Sequence, residues 1–320
     1  MKIRHYVCAL MVLLLAVWCG AADPGKPAIA EKSAAAERTV ADPGKHFFWK
    51  VSDSDSHVWI LGSIHFGDSS FYPLPKVIEQ AFDSSAELAV EIDVSNDSIS
   101  TEIAKSSAKQ GLLPKGKRLP DVIEKNIWKT VDSICASWNF PSATLLMMRP
   151  WMAAMTLSAI AIQRTGIDPS YGIDAVMLDS AAMRGMPIVG LETAEEQISS
   201  LSGKSEDDSL GVYYLKTTLR EIANLDSMVT QIKRAWKTGN DSLLNAAMND
   251  GETSPDNEKY EAEMEKNVYS NRNQKMAESI GQFLKENRSI FIIIGTAHLV
   301  LDEGNVLELL KQKGFKVERF

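Results

Sequence analysis

Val58-Trp59-Ile60-Leu61-Gly62-Ser63-Ile64-His65 and Ile290-Phe291-Ile292-Ile293-Ile294-Gly295-Thr296-Ala297-His298 are two copies of one device: an apolar run, a glycine, and a histidine three residues on. An apolar run of this length closed by a glycine reads as a buried strand, and each histidine falls just past the strand's C-terminal end. Open α/β sheets carry their chemistry there. Both copies continue alike. After the first, Pro73 and Pro75 introduce a helix with Val77, Ile78, Ala81 and Phe82 on one side, and Leu88–Asp93 reads as a strand. After the second, a helix from about Asn305 to Gln312 stops at Gly314, and Phe315–Phe320 reads as a strand. Val90-Glu91 then falls opposite Val317-Glu318. The expected fold class is α/β, a central sheet built from two degenerate strand-GxxH-helix-strand repeats with a large helical insertion between them.

Working outward, Phe47–Val51 and His57–Leu61 flank the polar loop Ser52–Ser56 and suit a hairpin. Residues 97–165 are helical in pattern, broken by Gly111, Pro114, Pro120, Pro141 and Pro150. Within them Trp151–Ile162 is nearly all apolar but too short to cross a bilayer, so it reads as a buried helix. Tyr171-Gly172-Ile173-Asp174 opens a helix that runs to Arg184 and is stopped by Gly185 and Pro187. Pro187–Glu192 follows as a strand ending, like Leu88–Asp93, on carboxylates. Residues 205–287 read as helices: a seam of Leu215, Leu219, Ile222, Val229, Ile232 and Trp236, then a long helix from Ser254-Pro255 to about Asn287. One domain, 46–320, is expected, with helical insertions at about 97–165 and 205–287.

The first 22 residues, with Lys2 and Arg4 before the apolar Val7–Val17 and small residues at Gly20-Ala21-Ala22, form an expected signal peptide. Residues 23–45, where Ala-Asp-Pro-Gly-Lys occurs at 22–26 and again at 41–45, form an expected disordered linker. The protein is thus expected to be exported, periplasmic or secreted, with no integral membrane span after cleavage. A formal net charge of -8 argues against nucleic acid or anionic lipid as the main partner. Cys8 and Cys19 lie in the signal, so Cys135 has no thiol partner in the domain and is expected as buried filler.

Four histidines remain after the signal: His46, His57, His65 and His298. His46 and His57 flank the hairpin and read as surface or structural. His65 and His298 share a motif, and a neutral imidazole serves as a metal ligand or a general base. A carboxylate such as Glu91 at a neighbouring strand end completes a facial set with an open position for water. The competing structural roles are helix capping for Asp174, capping or pairing with an arginine for Glu91 and Glu192, and a solvated helix position for Arg272.

Gly62–His65, Val90–Asp93, Tyr171–Asp174, Gly190-Leu191-Glu192-Thr193, Asn271-Arg272-Asn273 and Gly295–Val300, in this order, resemble the TraB/GumN family, to which the Tiki metalloproteases are related. The resemblance covers roughly residues 46–320. It implies a fold like that of the erythromycin esterase and ChaN relatives. It also implies a metal-dependent centre, manganese or cobalt, held by His65, Glu91 and His298, with Arg272 as a catalytic residue and Asp174 and Glu192 as neighbours. Leu301-Asp302 departs from the family, which often has glycine there.

The first expectation is therefore an exported metal-dependent hydrolase of peptidase type, acting on a peptide or small-molecule substrate with an ion-bound water as nucleophile. Two alternatives stand beside it: a binding or sequestering protein that holds haem, a peptide signal or a partner without turnover, and an esterase that uses a histidine as base with no metal.

Overall fold

A computed structural model describes residues 44–203, 207–249, 255–301 and 303–320. The signal peptide, all of the linker before residue 44, the helix-opening Ser254, and Asp302 lie outside the described residues.

Strands β1 (Phe48–Ser52) and β2 (His57–Ser63) form the expected hairpin, with Ser52 opposite His57. Its loop closes because the Asp53 carboxylate accepts from the Ser56 backbone N–H at 2.8 Å, the turn chemistry for which aspartate is suited. The other strands are β3 (Glu87–Val90), β4 (Ile188–Gly190), β5 (Ile290–Gly295) and β6 (Lys316–Arg319). They form one sheet in the order β4-β3-β5-β2-β1-β6. Strands β2, β5, β3 and β4 are mutually parallel, and β1 is antiparallel to both β2 and β6. The two GxxH strands are therefore central neighbours, in a register that pairs Ser63 with Gly295. Both motifs end at the same edge of the sheet.

The helices are α1 (Lys76–Asp83), α2 (Asp97–Gly111), α3 (Leu119–Val122), α4 (Lys125–Ser137), α5 (Pro150–Arg164), α6 (Ile173–Met183) and α7 (Ala194–Ser202). They continue as α8 (Ser209–Glu221), α9 (Leu225–Lys237), α10 (Asp241–Asn249), α11 (Glu258–Met264), α12 (Asn271–Lys285), α13 (Thr296–Val300) and α14 (Val306–Gln312). The apolar Trp151–Ile162 is the buried centre of α5, as read. Every residue of β5 is buried, and Phe291 on it meets Phe48 and Phe82 at ring separations of 5.9 and 5.4 Å. That apolar middle fixes the sheet on which the polar strand ends stand. Among the described residues no helix is long and apolar enough to cross a membrane.

Two expectations change. The repeats leave the central pair in opposite directions: β2 crosses over β5 to β3, whereas β5 crosses over β2 and β1 to β6. Glu318 thus lies on the far edge strand, paired with Lys316, and the second repeat has no counterpart of Glu91. The single long helix to Asn287 is instead a 3-10 turn at Pro255–Asn257, then α11, a π-helical stretch Glu265–Ser270, and α12. Wider π turns recur where a helix must aim side chains into a site, and this one directly precedes Arg272.

Candidate active site

His65, Glu91, Asp174, Glu192, Arg272 and His298 converge at the C-terminal edge of the parallel strands, each between 2% and 8% exposed. All six side chains are buried. A groove of about 740 Å³ lies elsewhere, between α4, α8 and α11, and none of the six residues lines it.

Each side chain arrives from a different element. His65 follows β2 at a bend in a loop whose backbone is clamped to the start of α6: Ile173 N–H donates to Ile64 O at 3.0 Å. Gly172 makes this approach feasible, because a Cβ there would stand 2.3 Å from the His65 carbonyl oxygen. Asp174 is on the first turn of α6, but it does not cap the helix. Its Oδ2 lies 2.6 Å from His65 Nδ1, and His65 Nε2 is buried with no hydrogen-bond partner among the described residues. A carboxylate only accepts here, so Nδ1 carries the proton and Nε2 is the ring position left for chemistry.

Glu91 and Glu192 follow β3 and β4 and sit side by side, with Glu192 N–H donating to Glu91 O at 2.9 Å. Glu91 Oε1 accepts from Gly295 N–H at 2.6 Å, which ties it to the second GxxH turn. Both carboxylates receive the Arg272 guanidinium. Nε donates to Glu192 Oε1 at 2.8 Å, and Nη2 donates to Glu192 Oε2 and Glu91 Oε2, each at 2.6 Å. Nη1 faces His298 Nε2 at 3.1 Å and the Val268 carbonyl at 3.4 Å. All five guanidinium N–H groups are thus engaged. For Glu91 and Glu192, pairing with an arginine is what the chain does, whereas Arg272 is a buried hub and not a solvated residue.

His298, in α13, completes the ring of contacts. Its Nδ1 lies 2.7 Å from Asn273 Oδ1, and the Tyr269 ring is 5.3 Å away. Tyr269 and Asn273 stand one turn apart on the same face, as do Val268 and Arg272.

The two histidines share a motif but not an electrostatic setting. Burial disfavours the charged form of both. At His65 the Asp174 carboxylate, aided by the charge of Glu91, outweighs burial and holds the imidazole above its usual value. At His298 burial and the Arg272 charge act together and push the imidazole well below the usual range. Burial opposes the charge of Arg272, but Glu192 and Glu91 more than offset it and raise its pKa further.

The chemistry of the donor set bears on a metal ion. A divalent ion held by His65, Glu91 and His298 needs three convergent ligand atoms. Among the described residues no group of three His, Cys, Asp or Glu side chains is placed to hold one. His298 Nε2 and Glu91 Oε2 both face the same guanidinium. A dication 4 Å from a guanidinium meets repulsion of about 8 kcal/mol at an effective dielectric of about 20, before nearby carboxylates offset any of it. As arranged, these side chains do not fit a divalent ion.

Three contributors were not named as site residues in the sequence reading. Asn273 carried a signal, since it adjoins Arg272. Gly172 was visible as the opening of a helix and as part of the Tyr171–Asp174 motif, but not for its close approach to His65. Trp236, whose Nε1 donates to the Gly62 carbonyl at 2.8 Å and so anchors the first motif to α9, read simply as part of an apolar seam.

A six-residue constellation of two strand-end histidines, two glutamates, an aspartate and an arginine on a mostly parallel sheet is the layout of an α/β strand-end site. A model of the TraB/PrgY/gumN family matches residues 47–319, and the chain belongs to that family. Among curated relatives, the uncharacterized protein YbaP of Escherichia coli (strain K12) is 31% identical over 163 residues, 49% of this chain and 58% of that protein. YbaP of Shigella flexneri matches over the same shares, and an uncharacterized protein of Treponema pallidum (strain Nichols) is 20% identical over 166 residues, 52% of this chain and 49% of that one. The chain thus spans about half the length of the curated relatives it matches. No solved structure matches.

Proposed function

We propose that the protein is a hydrolase of acyl bonds, a peptide or ester, in which His65 Nε2 is the general base that activates water. One observation carries this reading: His65 is pinned through Nδ1 by Asp174 at 2.6 Å and keeps a buried, unpartnered Nε2. A base held by a third group in one tautomer is the arrangement of acyl-transfer sites. In the reaction, His65 Nε2 takes a proton from water and the oxygen bonds to the acyl carbon. The carbonyl electron pair moves onto oxygen, and on its return the bond to the leaving nitrogen or oxygen breaks, with the proton passing from His65 to that atom. The Arg272 Nη1 hydrogen that makes the 3.4 Å contact to Val268 O is its longest bond and the one a developing oxyanion takes over.

The metal-dependent peptidase, with manganese or cobalt, is the second reading. It is favoured by the orphaned imidazole nitrogen of His65 and requires Arg272 to withdraw from His298 and Glu91. A binding protein without turnover is supported by the burial of all six side chains. Export rests on the charged start, apolar run and small residues of the first 22 positions. The test is turnover of a fluorogenic peptide library and of p-nitrophenyl esters by the wild type and His65→Gln. Loss by a factor of about 10²–10⁴ is expected, and undiminished turnover in the variant overturns the proposal.

A further inference from the structure

We propose that Asn273 is a positioning residue: its side-chain amide locks His298 in the Nδ1–H tautomer, keeps the Nε2 lone pair for Arg272, and so makes the second GxxH histidine an anchor instead of a second base. The proposal deepens the hydrolase reading above, because it assigns different tasks to the two halves of the repeated motif.

The polarity of one chain of hydrogen bonds supports it. The Asn273 amide has two ends, and the Gly304 carbonyl decides which way they face. Asn273 Nδ2 donates to Gly304 O at 3.2 Å, and Oδ1 therefore faces His298 Nδ1 at 2.7 Å. The reverse orientation would set two carbonyl oxygens against each other and leave the amide N–H₂ without its acceptor. An amide oxygen only accepts, so the proton is on Nδ1. The other ring nitrogen then holds a lone pair, and Arg272 Nη1, which only donates, lies 3.1 Å from it. From Arg272 through His298 and Asn273 to Gly304, each link of the chain pairs a donor with an acceptor. The network is buried, where a broken link leaves an unsatisfied group costing about 1–3 kcal/mol.

The equivalent link at His65 is a carboxylate. Asp174 accommodates either a neutral or a cationic imidazole, and among the described residues His65 Nε2 has no hydrogen-bond partner. At His298 a second proton would point at a guanidinium. Asn273 lies beside Arg272 at the start of α12, so one helix end supplies both the donor to Nε2 and the acceptor from Nδ1. The groups facing His298 from the elements around it are Arg272, Asn273 and Tyr269 on or just before α12, Glu192 after β4, and His65 after β2.

The experiment is ¹⁵N NMR of histidine-labelled full chain at one fixed pH near 7.5, for wild type, Asn273→Ala and Asn273→Asp, with turnover measured in parallel. In wild type the His298 signals are expected to be those of a protonated Nδ1 and an unprotonated Nε2, whereas Asn273→Ala shifts them toward the Nε2–H tautomer. Losing this buried link is expected to lower turnover about 5- to 150-fold. Asn273→Asp loses the donor to Gly304 and is expected to disturb the His298 signals while His65 stays as in wild type. A wild-type spectrum with the proton on His298 Nε2 overturns the proposal even if both variants fail to fold, and so does an Asn273→Ala spectrum unchanged from wild type. The spectrum is read without substrate, so absence of hydrolysis would sink the hydrolase reading alone.

Discussion

Replacing Arg272 with methionine puts the hub of the site to a quantitative test. The side chain is 4% exposed and compensates two carboxylates, Glu91 and Glu192, whose side chains are 4% and 1% exposed. Removing one member of a buried ion cluster leaves uncompensated charge and costs about 3–5 kcal/mol. Two carboxylates lose their partner together, so the upper part of that range is expected. For a domain of this size that is a fall in Tm of the order of 10 °C. The triple variant Glu91→Gln, Glu192→Gln, Arg272→Met removes the charges along with their partner and is expected to recover part of the loss, because an unpaired buried amide costs less than an unpaired buried charge. Urea unfolding followed by circular dichroism at pH 7 reads the stability of both variants, and a thermal scan reads the fall in Tm. A single variant within about 1 kcal/mol of wild type, or a triple variant no more stable than the single one, would refute the view that Arg272 holds two buried charges.

Two further outcomes are expected. The pH profile of kcat/KM rises with deprotonation of His65, and its midpoint lies above the ordinary 6.5 because the Asp174 carboxylate favours the charged imidazole. Asp174→Asn removes the larger of the two carboxylate influences that oppose burial, leaving only the charge of Glu91 against burial and Arg272, and moves the midpoint down with a lower kcat; a wild-type midpoint below 6.5, or one that does not move in the variant, counts against His65 as the base. Gly172→Ala, whose new Cβ would meet the His65 carbonyl oxygen at 2.3 Å, forces backbone apart and is expected to lower stability by about 1–3 kcal/mol and turnover at least tenfold. A fully active, fully stable variant contradicts the clamped placement of His65.

Much of the sheet was legible because its signals are local. The hairpin loop announced itself through Asp53 and four neighbouring polar residues, and both GxxH strands through apolar runs that only a buried position tolerates. Strand order was not legible: that β5 inserts between β3 and β2 depends on packing between segments some 200 residues apart in sequence. The same non-locality explains the mistaken pairing of Glu318 with Glu91, since the matching pattern Val-Glu says nothing of which sheet edge the strand joins. The break at Glu265–Ser270 left no proline or glycine in the sequence. It is a change of helical pitch, which residue periodicity does not resolve over six positions.

The six site residues were all named in advance, two from a repeated motif and the others with the help of a family pattern. Their partners were not. Asp174 read as a helix cap because an acidic residue near a helix start is ordinary, and only the clamp between Ile173 and Ile64 aims it at His65. Arg272 has a site role only through the family pattern, and its partners were illegible because nothing local shows that its acceptors arrive from β3 and β4. What the fold adds to the motif is the difference between its two copies: a carboxylate behind one histidine, an amide behind the other, and a guanidinium on the side where a metal ion was expected.

The central claim is that water is activated by His65 itself. Its most direct test is the turnover of the wild-type protein after exhaustive dialysis against a chelator, before and after addition of manganese or cobalt. Full activity in the chelated protein, unchanged by either ion, is the predicted result. Activity abolished by chelation and restored by stoichiometric ion would contradict it and make His65, Glu91 and His298 a metal site from which Arg272 withdraws.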